Sequence, residues 1–95
     1  MNKEELLKVF GKINWDTPCS AEDIYRVYSG EISAISGIDK TWIYHKVLNG
    51  FRWYEVIRIF PKNELPAVLS EDVIQRLFPR QLRDKYRHVR TVLFG

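Results

Sequence analysis

With 95 residues, 45% hydrophobic and 28% charged, the chain has the size of one small domain and lies outside the low-hydrophobicity, high-charge regime of disorder. A single cysteine, Cys19, excludes an internal disulfide; no run approaches the ~18 apolar residues of a membrane span, and Met1–Phe10 is too charged for a signal peptide, so the cytoplasm is the expected compartment. The net charge of +3 is uneven: residues 1–75 hold 9 Lys/Arg and 11 Asp/Glu, whereas residues 76–95 hold 6 Lys/Arg and one Asp, an acidic body with a basic tail.

Taken in chain order, Asn2 to Lys12 reads as a first helix, with acids first and lysine last, the order that complements the helix dipole. Asn14 to Pro18 is turn chemistry around Trp15. Ser20 then caps a short second helix that stops at Gly30. Glu31 to Gly37 fits neither periodicity and reads as a loop or a short extended piece. Asp39 caps Lys40 to Leu48, with Asn49 and Gly50 as a left-handed stop. Trp42, Ile43, Tyr44, Val47 and Leu48 cover most of that helix, which makes it central.

Phe51 to Phe60 is rich in β-formers, but Arg52, Glu55 and Arg58 recur every third residue opposite Trp53, Val56, Ile57 and Phe60, so a helix is expected, ended by Pro61. Two further turns follow at Asn63 to Leu69, and Ser70 caps a piece carrying Val73, Ile74, Leu77 and Phe78. Pro79 starts a last helix, Arg80 to Leu93. Its residues Leu82, Tyr86, Val89, Val92 and Leu93 share one side, and Arg80, Arg83, Arg87 and Arg90 fall in a narrow arc opposite. The expected fold is all-α: one domain over residues 1–95, a bundle of five to six short helices, with an extended segment admitted only at residues 31–37.

Catalytic and metal chemistry find little support. The five glycines are isolated, which argues against a phosphate loop. His45 and His88 lack a carboxylate or second histidine at ligand spacing, and each reads as a structural side chain. Cys19 precedes a helix start, where a thiol can be activated, but no base adjoins it in sequence. The acid pairs Glu4–Glu5, Glu22–Asp23 and Glu71–Asp72 each fall in a first helical turn, where capping explains them. No enzyme activity, cofactor or metal is expected.

The basic tail carries the functional expectation. Asp84 is the only acid among residues 76–95, so the ion pairing of an ordinary solubilising face is missing from the local sequence. Arginine's planar fork suits phosphate and carboxylate recognition. Arg76, Arg80, Arg83, Arg87 and Arg90 are therefore the candidate site for an anionic partner, either nucleic acid or an acidic protein. The alternative is a protein-interaction subunit with an aromatic interface drawn from Trp15, Phe51, Trp53 and Tyr54, with Trp42 beside them. No membrane partner is expected, and a homodimer remains open.

From Thr41 to Leu93, a helix ending in Val47-Leu48-Asn49-Gly50 is followed by a Trp-containing helix, Arg52 to Phe60, then a short Ile/Leu helix and a closing helix. This layout resembles small, uncharacterised helical bacterial proteins often encoded beside minimal nucleotidyltransferase-type toxins. The resemblance implies a non-enzymatic, antitoxin-like role in binding a protein or an operator. Pro66 and the more basic final helix depart from the pattern, and no functional residue is carried over.

Overall fold

Local capping decides where most helices begin. A computed structural model describes residues 1–95. In α1 (Lys3–Ile13) the Asn2 side chain accepts from the Glu5 backbone N–H at 2.8 Å while Glu5 reaches back to the Asn2 N–H. The same reciprocal box, Ser20 with Asp23, opens α2 (Ala21–Tyr28). Asp39 accepts from the Trp42 N–H to start α3 (Lys40–Gly50). Then come α4 (Trp53–Ile59), a 3-10 turn at Lys62–Glu64, and two single-turn helices, α5 (Leu65–Val68) and α6 (Glu71–Ile74). The chain closes with α7 (Arg80–Phe94).

The protein is all-α, 66% helical and without a strand. Seven α-helices stand where five to six were expected, α5 and α6 being the two short pieces read at residues 63–69 and after Ser70. Pro66 sits in the first turn of α5, where no intrahelical donor is needed. At residues 31–37 the extended piece reduces to one antiparallel bridge, Ile35 with Ile38. Their backbones exchange hydrogen bonds of 2.9 and 2.8 Å across Ser36 and Gly37, both at positive φ (49° and 82°), the geometry of a two-residue type I′ turn. Gly50 is not the left-handed stop expected. Helix α3 runs through it and ends at an extended Phe51, while Asn49 turns its amide back onto the His45 carbonyl at 3.0 Å.

All seven helices contribute to one core of 22 buried residues. Its centre is aromatic: Tyr44 meets Phe60 edge-on at 5.2 Å, and Phe10 and Phe60 lie on either side of Tyr28 at 5.3 and 6.1 Å. The polar tips of these rings are satisfied, since the Tyr28 hydroxyl donates to the Ile59 carbonyl and Tyr44 donates to Glu64 at 3.0 Å. Such closure lets tyrosines pack where phenylalanines would otherwise be required. Tyr86, the one fully buried residue of α7, is the exception: its hydroxyl has no partner.

Candidate functional site on the two flanks of the last helix

Helix α7 seats itself on the body through Tyr86, packed edge-on against Trp53 at 6.2 Å, with Leu82 and Val89 half-buried beside it. At about 100° per residue, Arg83 and Arg90 lie within about 60° of Tyr86 on one side. The arginine arc therefore flanks the buried face; it does not oppose it.

That placement folds Arg83, Arg87 and Arg90 back onto the protein. Arg87 donates to Glu71 through Nη2 at 2.6 Å and Nε at 3.0 Å, and Arg90 Nη1 lies 3.1 Å from the same carboxylate. The Arg87 hydrogen bond holds the Glu71 carboxyl below its ordinary range, and Glu71 in turn raises Arg87. Arg83 donates to the Leu77 carbonyl at 2.8 Å, in the turn between α6 and α7. Arg80 faces Asp84 at 3.9 Å, one helical turn away. Of the five candidate arginines only Arg76 has neither an ion pair nor a side-chain hydrogen bond. It lies off α7, in a cleft of about 280 Å³ with Asp39, Thr41, Trp42 and His45.

The opposite flank is different in kind. Lys85 and His88 form no ion pair, and the Lys85 ammonium lies 5.4 Å over the Tyr86 ring. Beside them Val92 is 69% exposed and Leu93 47%, so the apolar stripe read as one core-facing side outruns the body and ends in solvent; Phe94, also exposed, lies on the arginine side. Val89, Val92, Leu93 and His88 join Trp53 of α4 around a groove of about 240 Å³. Tyr54 and Ile57 of α4 are exposed as well.

The aromatic candidates do not form one surface. Phe51 packs against the core, and Trp53 packs against Tyr86 while lining the groove. Trp15 is 80% exposed in the turn after α1. There the Lys46 ammonium sits 5.4 Å from both Trp15 and Trp42 and 2.7 Å from Asp16, whose carboxyl that contact lowers. Val92, Leu93 and Phe94 are the interface-type residues that sequence reasoning missed. The available signal was that the stripe ran past Val89, further than one buried ring needs.

His45 Nε2 lies 2.7 Å from the Arg76 carbonyl, which can only accept, so Nε2 carries the proton and ties α3 to the end of α6. The Cys19 thiol is buried and faces the Ile35 carbonyl at 3.9 Å, with no base against it. No three of His, Cys, Asp and Glu gather in metal-binding geometry, and no helix is long and apolar enough to cross a membrane. Comparison with protein-family models, curated proteins and solved structures returns no match.

Proposed function

We propose that the chain is a non-catalytic binding module that docks an acidic protein partner on the Lys85/His88/Val92 flank of α7 and the adjoining Trp53 edge of α4. One observation carries this reading: the Lys85 ammonium, free of any ion pair, and solvent-facing apolar side chains occupy the same flank, while Arg83, Arg87 and Arg90 are held by internal partners. Exposed apolar surface bordered by charge is characteristic of protein-docking sites, and oppositely charged groups there steer encounter and fix register. A duplex phosphate backbone asks instead for several free cations along one face, each releasing counterion as it binds. The non-catalytic part draws support from Cys19 and His45, whose reactive atoms face backbone carbonyls. An antitoxin-like role, with a nucleotidyltransferase-type toxin as the bound protein, is the specific form that the resemblance would give to this proposal.

The test is photo-crosslinking in the native host with a photoreactive phenylalanine analogue placed at Val92, at Arg87 or at Lys12. Discrete protein adducts from position 92, absent from 87 and 12, are the expected result. Adducts from position 87 alone would locate the site on the arginine flank. Tight, steeply salt-dependent binding of mixed-sequence DNA or RNA would replace the proposal with a nucleic-acid role.

A further inference from the structure

We infer that the partner presents an amphipathic helix whose apolar ridge enters the Trp53 groove and whose carboxylates meet Lys85 and His88. The inference rests on the docking reading above and adds the partner's secondary structure and charge register. Three observations lead to it.

The first is that the protein offers no sheet edge. Its single bridge, Ile35 with Ile38, is closed within its own turn, so an extended peptide has no strand to pair with and strand addition has no template. Recognition at α7 therefore runs side chain to side chain. The second is the shape of the apolar surface. Val89, Val92 and Leu93 stand at i, i+3 and i+4, the spacing that builds a ridge on one side of a helix, and Trp53 supplies the opposite wall of the groove. A second helix laid along such a ridge fits its own ridge into the groove. The third is charge. Lys85 lies one turn before Val89 and two turns before Val92 and Leu93, roughly 10–12 Å along the axis from that apolar pair. A partner helix running alongside reaches both features when its carboxylates stand about two turns from its apolar anchors.

Charge also argues against a second copy of the chain as the occupant. A second copy would present the same flank of α7, which carries Lys85 and no acid to meet it, since Asp84 faces Arg80 and Arg87.

The experiment measures binding of three labelled peptides of about 16 residues, enough for four turns, to the full-length chain by fluorescence anisotropy. One peptide carries leucines at helical spacing with glutamates two turns away. The second scrambles the same composition, and the third replaces each glutamate by glutamine. The ordered acidic peptide is expected to bind at least about tenfold more tightly than either control. Leu93→Asp should abolish its binding, while Lys85→Glu should weaken the acidic peptide and leave the glutamine peptide unchanged. Equal binding of ordered and scrambled peptides, or no binding of any, overturns the helical inference. The docking reading itself stands or falls separately on crosslinking from position 92. A dimer seen by light scattering and dispersed by Leu93→Asp would overturn the inference in favour of self-association.

Discussion

Replacing Tyr86 by phenylalanine should make the protein more stable. The ring is fully buried against Trp53, and its hydroxyl has neither a donor nor an acceptor within reach. In the unfolded chain water satisfies that hydroxyl, so folding strips its hydration without compensation, at a cost of about 1–3 kcal/mol. Tyr86→Phe keeps the packing and removes the cost. A gain of that order corresponds to about 4–8 °C in Tm per kcal/mol for a domain of this size. The control is the same chemical change at Tyr44, whose hydroxyl donates to Glu64 at 3.0 Å. There the loss of a hydrogen bond should destabilise by about 0.5–1.5 kcal/mol. Urea titrations followed by circular dichroism measure both, with unchanged m-values securing the comparison. Opposite signs at the two positions are expected. A destabilised Tyr86→Phe variant would show that the hydroxyl is satisfied and that the α4–α7 contact is arranged differently.

Other consequences follow from the caps, the tyrosines and Glu71. Ser20→Ala removes a hydroxyl that accepts from the Asp23 N–H and should cost about 1 kcal/mol, whereas Ser70→Ala, at a helix start with no side-chain cap bond, should cost clearly less in the same urea assay. Burial raises the hydroxyls of Tyr28, Tyr44 and Tyr86 above their ordinary 10.0. The unfolded chain then loses those protons first, so this contribution to stability is intact below about pH 10 and falls as pH climbs toward the folded-state values. A urea midpoint equal at about pH 8 and about pH 11 would contradict that linkage. Glu71→Gln releases Arg87 and Arg90 and should strengthen binding to a polyanion such as heparin at low salt. Unchanged heparin retention would mean that those arginines are already free in the native protein.

Helix starts were legible at Ser20 and Asp39, where a short polar side chain meets its own backbone three residues on, because that chemistry is local; Asn2, read as part of the first helix, is its cap, and Ser70, read as a cap, makes no such bond. The helix over Phe51–Phe60 was readable from its period despite β-forming residues. Gly50 misled because its left-handed freedom goes unused once Asn49 bonds back to His45. The Ser36-Gly37 pair did carry a turn signal, and the type I′ turn there fixes the only bridge. A helical projection grouped the arginines of α7 correctly and placed them wrongly. The projection gives arcs, whereas the arc that touches a neighbour depends on how α7 is docked. Glu71 stands 16 residues from Arg87, beyond any i, i+4 inspection of charge balance. The groove was hidden for the same reason, since Trp53 and Val92 belong to helices that only the tertiary fold brings together.

The claim most exposed to test is that the working flank of α7 carries Lys85, His88 and Val92, with Arg83, Arg87 and Arg90 held by the body. Backbone amide and arginine Nε–H resonances of the isotopically labelled full chain, followed as the ordered acidic peptide is added, address it directly. The largest shifts are expected at Trp53–Ile57 and at Lys85, His88, Val92 and Leu93, with the Arg87 Nε–H unmoved in its bond to Glu71. Shifts centred on Arg80, Arg83, Arg87 and Glu71, with Trp53 and Leu93 silent, would contradict it.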